Sequence, residues 1–99
     1  MITGSMCRAA RALVEINRER LSRVSGVDET TIERFERKIA IPEDDAVLAI
    51  QAALEEHGAI FLPENGGGVG VRLKFTKSET KRIGILESEG GVSRNDDVP

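Results

Sequence analysis

The sequence predicts a mainly α-helical domain: four short helices, then a small β-hairpin, then a flexible C-terminal tail. Three observations predict it. Apolar residues recur at three- and four-residue spacing as far as Gly58, in runs of which the first three open at the capping residues Thr3, Asn17 and Asp28 and the second and fourth close at Gly26 and Gly58. Between residues 59 and 75 the spacing changes to strict alternation across a Gly-rich turn. The 99 residues hold three Phe and neither Trp nor Tyr, so the core is aliphatic, a composition that favours helix over strand. The division that follows is a helical bundle over 1–58, a hairpin extension over 59–75 and a flexible tail over 76–99.

The first helix is expected from about Ser5 to Glu15 behind Thr3 as cap. Met6, Ala9, Ala10, Leu13 and Val14 form its apolar face, and Arg8, Arg11 and Glu15 its wet side. The second opens at Asn17, carries Leu21 and Val24 inward, and stops at Gly26, where a residue without Cβ suits the left-handed turn. The third opens at Asp28, whose carboxylate accepts free N–H groups and suits the positive helix end. Ile32 and Phe35 are its apolar positions, and it ends near Arg37-Lys38. The fourth follows Pro42, with Glu43, Asp44 and Asp45 in its first turn, Ala46, Val47, Ile50, Ala53 and Leu54 as its stripe, and His57-Gly58 as its stop. The central core is expected from Leu13, Leu21, Val27, Ile32, Val47, Ile50 and Leu54.

Ala59-Ile60-Phe61-Leu62 and the alternating run Val69, Val71, Leu73 and Phe75 are the expected strands, with Pro63 to Gly68 as the turn and Arg72 and Lys74 on the wet face. Beyond Thr76 only Ile83-Gly84-Ile85-Leu86 is apolar, and Ser88 to Pro99 has the composition of a disordered segment.

The formal net charge is −3, which excludes a chain that binds polyanions by overall charge. The charge is uneven: residues 1–40 hold eight Lys/Arg against six Asp/Glu, and residues 41–99 hold six against eleven. Such asymmetry suggests different partners for the two halves. The single Cys7 has no partner for an internal disulfide and is read as a small apolar core residue in a reduced compartment. The first residues lack the pattern of a signal peptide, and no apolar run approaches the roughly 18 residues of a membrane span. The expectation is a cytoplasmic protein with no membrane partner.

The informative stretch is Asn17 to Glu36: two short helices joined by Ser25-Gly26-Val27-Asp28, the layout in which a second helix can enter a major groove. The run Leu21-Ser22-Arg23-Val24-Ser25-Gly26-Val27-Asp28-Glu29-Thr30-Thr31-Ile32-Glu33-Arg34-Phe35-Glu36 resembles the helix-turn-helix motif of the XRE/Cro-like, phage-repressor type, matching at Leu21, Gly26, Val27, Thr31, Ile32 and Glu36. The stretch Cys7 to Val14 and the run Gly58 to Leu73 resemble the first helix and the tail of a compact bacterial subgroup, so the likeness covers residues 1–75. The resemblance implies a lambda-repressor-like four-helix bundle and a DNA-binding transcriptional regulator. It also implies that Glu29, Thr30, Glu33 and Arg34 point toward an operator and that Arg18 touches the DNA backbone, where the family usually has Gln. Lys38 stands where the family commonly has Gly.

With the cations of the rim, the candidate contact residues are Arg18, Asp28, Glu29, Thr30, Glu33, Arg34, Arg37 and Lys38, and Arg23 belongs to the same basic rim. Two carboxylates on a groove-facing helix are unusual. Glu accepts from cytosine N4, but each carboxylate is repelled by phosphate. Glu36 is read as a structural ion-pair partner of an arginine on the second or third helix.

No nucleophile–base pair or carboxylate dyad stands out, so no enzyme is expected. His57 stands apart from other metal ligands in sequence, and no metal or cofactor is expected. The glycine run before Val69 lacks the Lys-Ser/Thr and following helix of a phosphate loop.

Three functions remain open. The first is an operator-binding regulator acting as a homodimer. The second is an antiactivator that captures a transcription factor, for example a quorum-sensing regulator; the acidic third helix and a pI near 5.2 suit it. The third is an antitoxin whose tail covers a toxin.

Overall fold

The computed structural model describes residues 1–74. The last expected hairpin residue, Phe75, and the expected tail 76–99 lie outside them. The described chain forms four helices and a two-stranded antiparallel sheet in that order.

Local chemistry sets each helix start. Helix α1 spans Gly4–Val14, and the Thr3 side chain accepts the Met6 N–H at 3.2 Å. Helix α2 spans Arg18–Ser25, with the Asn17 side chain accepting from Arg20 N at 2.8 Å. Helix α3 spans Glu29–Glu36, and the Asp28 carboxylate accepts from Thr31 N at 3.1 Å. Helix α4 spans Asp44–Glu56; Glu43 makes no side-chain cap, but Asp44 and Asp45 face the positive helix end. Between α2 and α3 the chain turns at Gly26, whose φ of 78° belongs to the left-handed region. Strands β1 (Ala59–Leu62) and β2 (Gly70–Leu73) pair with Ala59 opposite Leu73 and Leu62 opposite Gly70.

The helices enclose one aliphatic core. α1 packs on α3, α4 and both strands, α2 on α3 and α4, and α4 also carries β1. Leu21, Ile32, Ile50 and Leu54 are fully enclosed, with Cys7, Ala10, Phe35, Val47, Ala53 and Ala59 around them. Val14, Ile16, Val27, Phe61 and Val71 close its edges. At one seam the backbones nearly touch: a Cβ at Gly4 would overlap the Phe35 carbonyl oxygen. Glycine there lets the start of α1 press on the end of α3.

Several sequence expectations need correction. Leu13, expected in the core, is 40% exposed. The inward residues of α1 are Met6, Cys7, Ala10, Arg11 and Val14, and Leu13, two turns beyond Met6, lies past the part of that face that the core covers. Ala9 is exposed, Val24 is 38% exposed, and Arg11, expected on the wet side, is turned inward. Val69 was expected to start the second strand, but that strand starts at Gly70 and Val69 projects from the preceding loop, 56% exposed.

Candidate functional site

The residues around α3 form two layers, an exposed face and a buried anchor beneath it. On the face, Glu29, Thr30, Arg34, Arg37 and Lys38 are exposed and Glu33 is partly so. Anions gather at the N-terminal end, where Glu29 follows the cap Asp28. Cations gather at the other end, as Arg34, Arg37 and Lys38. This order follows the helix dipole at both ends.

Some of the candidates already hold partners within the chain. Asp28 is occupied by its capping role, accepting from both the backbone N–H and the hydroxyl of Thr31 at 3.1 and 3.3 Å. Glu33 pairs with Arg37 one turn on, at 3.3 Å, and Arg23 pairs likewise with Glu19 at 3.2 Å. Such exposed pairs contribute only about 0.3–0.5 kcal/mol and reopen easily when a partner arrives. Lys38, just past the end of α3, has φ of 63°, a left-handed conformation that favours Gly.

Arg18 belongs to both layers. Its Nε donates to Glu36 Oε1 at 3.0 Å, and its side chain remains one-third exposed at the start of α2. Glu36 is the only buried charged residue among the described ones, at 1% exposure. Its two oxygens are fully used. Arg11 grips both, Nε to Oε2 at 2.7 Å and Nη2 to Oε1 at 2.8 Å. The Cys7 thiol donates to Oε2 at 3.1 Å, and Arg11 also reaches the Ile16 carbonyl at 3.2 Å. The carboxylate at the end of α3 is thus tied to α1 twice and to α2 once.

The electrostatics follow from this packing. Burial alone would raise the Glu36 pKa, but the bonds from Arg11, Cys7 and Arg18 hold it below the usual carboxylate range. The bond to Glu36 pushes Arg11 higher still. Burial, the bond to Glu36 and its negative charge push the Cys7 thiol far up, so it stays protonated and unreactive.

Sequence reasoning found Glu36 as an ion-pair partner and left its arginine open between the second and third helices; Arg18 of α2 is one such partner, and no arginine of α3 pairs with it. Sequence reasoning missed Arg11 on α1. The signal was present: Arg11 lies four residues after Cys7 and directly after Ala10, both fully buried, so it falls in the inward stripe. Cys7 was expected as an apolar filler and proves to be a hydrogen-bond donor as well.

Other candidate chemistry is accounted for. Among the described residues no group of three His, Cys, Asp or Glu side chains could hold a metal ion. The His57 ring Nδ1 lies 2.9 Å from the Ala53 carbonyl, to which it donates as a helix-end bond. The amides of the glycine loop are taken by its own carboxylate, with Glu64 Oε2 accepting from Gly66 and Gly68 at 2.9 and 3.3 Å. No described helix is long and apolar enough to cross a membrane.

In comparisons with known proteins, no family model matches the chain and no curated sequence does.

Proposed function

We propose that the chain is a helix-turn-helix regulator of the XRE/Cro-like type, which binds DNA with α3 in a major groove. The observation that carries the reading is the seating of α3. Its N-terminus follows a tight Gly26-Val27-Asp28 turn from α2 and its C-terminus is anchored by Glu36, while Glu29, Thr30 and Arg34 remain outward. A rigid, inwardly anchored helix with a polar outer face is what groove recognition needs. On this reading Arg34, Arg37 and Lys38 meet phosphates, Arg18 meets the backbone beside the start of α2, and Glu29 or Glu33 accepts from a cytosine. The protein acts as a homodimer, is cytoplasmic and is not an enzyme.

A second reading has its own support. Glu29 and Glu33 put two carboxylates on the outward face, and Glu33 offsets the cation of Arg37. A face so balanced suits a protein partner, and an antiactivator would use it to cover a transcription factor.

One pair of proteins separates the two. Wild type is titrated against DNA from its own upstream region at several salt concentrations, beside the double variant Glu29→Lys/Glu33→Lys. The DNA reading expects a wild-type shift that weakens steeply with salt. It also expects Glu33→Gln to change base preference by about 1–3 kcal/mol at one position. A wild type without any salt-sensitive shift, beside a double variant that gains one, overturns the DNA reading and supports the antiactivator.

A further inference from the structure

Away from α3, an open groove of about 460 Å³ lies between the start of α1, α4 and the tip of the hairpin. Its lining is mostly apolar: Met1, Ile2, Met6, Phe61, Leu62 and Val69. Ile2 and Met6 belong to the core, whereas Met1, Leu62 and Val69 stand 70%, 39% and 56% exposed around it. Three large apolar side chains gathered on one groove mark a surface that something covers.

We propose that the occupant is the chain's own segment Ile83-Gly84-Ile85-Leu86, folded back onto this groove. Three features select it. It is the one apolar run after residue 75, and its size and character match the lining. Chain length permits it: the eight residues between Lys74 and Ile83 give nine steps, which span at most about 30 Å. The turn back covers only the length of β2, roughly 10 Å. Charge agrees too, since Lys81 and Arg82 directly precede the run and Glu64 stands on the groove's rim. Tethering makes the encounter intramolecular, at an effective concentration of about millimolar, an advantage that a second copy of the chain lacks.

The test uses the full chain with methyl-labelled Ile, Leu, Val and Met. Nuclear Overhauser contacts from the Ile83 and Ile85 methyls to Met6, Leu62 or Val69 are expected, within one molecule when labelled and unlabelled chains are mixed. The full-length variant Ile83→Asp/Ile85→Asp should lose them, shift the Met6, Leu62 and Val69 methyls and bind a hydrophobic dye severalfold more, with its helical circular dichroism intact. The conservative variant Ile83→Leu/Ile85→Val should keep the contacts. Contacts seen only between different molecules would assign the groove to a second copy and overturn the proposal. Absence of contacts, with groove methyls and dye binding unchanged in the Asp variant, would overturn it as well.

Discussion

Lys38 holds a backbone conformation that its own Cβ opposes. With φ at 63° it occupies a position that glycine takes without strain. Lys38→Gly should therefore stabilise the fold by about 0.5–1 kcal/mol in a urea titration with unchanged slope. Under the DNA reading the same change removes a cation, so stability and affinity should move in opposite directions. Cys7 gives a pH dependence. Burial, with the bond to Glu36 and its charge behind it, holds the thiol protonated in the native state, well above the unfolded value near 8.5. The unfolded chain thus releases a proton that the folded one keeps. The thiol's contribution is whole below about pH 8.5 and falls above it by up to ~1.4 kcal/mol per pH unit. Denaturation between pH 7 and 10 should show wild type losing this increment and Cys7→Ala not losing it; parallel curves would contradict the assignment. At this scale the sequence is most readable where the chemistry is local. Thr3, Asn17 and Asp28 each cap the helix expected of them, because a cap is decided within three residues. Arg11 was misplaced because its partner lies 25 residues away and residue type alone argued for water.

At the level of elements, the meeting of α1 and α3 is the tightest seam. Gly4 stands against the Phe35 carbonyl, and backbone, unlike a side-chain end, cannot swing aside. Gly4→Ala should destabilise by about 1–3 kcal/mol although alanine is the better helix former, with the loss visible in thermal melts. An unchanged melting temperature would show that α1 shifts freely along α3. Helix periodicity fixed the existence and span of all four helices, yet it did not reveal this contact, since a glycine near a helix start reads from sequence as ordinary capping chemistry. Periodicity also drew the apolar face of α1 too wide. It took in Ala9 and Leu13, which are exposed, beside Met6, Ala10 and Val14, which are turned inward. The hairpin was legible as alternation. Its loop was not, because Val69 continues the pattern while the Gly66–Gly68 region folds around Glu64.

Across the whole molecule, the buried carboxylate of Glu36 joins three of the four helices. Glu36→Ala removes the anion and leaves two arginines facing a desolvated space, at a cost of about 3–5 kcal/mol. For a domain whose total stability is of order 5–15 kcal/mol, that loss is a large share. The pH dependence has a defined direction. Glu36 titrates lower when folded than the roughly 4.3 of an unfolded Glu, so its contribution is present above that value and is lost as pH falls through the folded one. Wild type should lose stability steeply on acidification, and Glu36→Ala should give a flatter acid limb; coincident acid limbs would contradict the role. The long-range character of this cluster explains what the sequence could offer. Glu36 alone suggested an ion pair, and only the packing of three helices determined with which partners.

The same cluster bears on the order in which the domain assembles. Its donors reach Glu36 across 18, 25 and 29 positions of chain, so no two neighbouring elements complete it between them. A half-assembled bundle with α2 and α3 docked but α1 still loose would enclose the carboxylate with one arginine and leave Arg11 in water. A buried carboxylate with too few partners makes such a species costly. The full set of bonds to Glu36 therefore exists only when α1, α2 and α3 are all docked. Partly folded forms with a frayed first helix are disfavoured, and the domain gains cooperativity from a residue that contributes little apolar area.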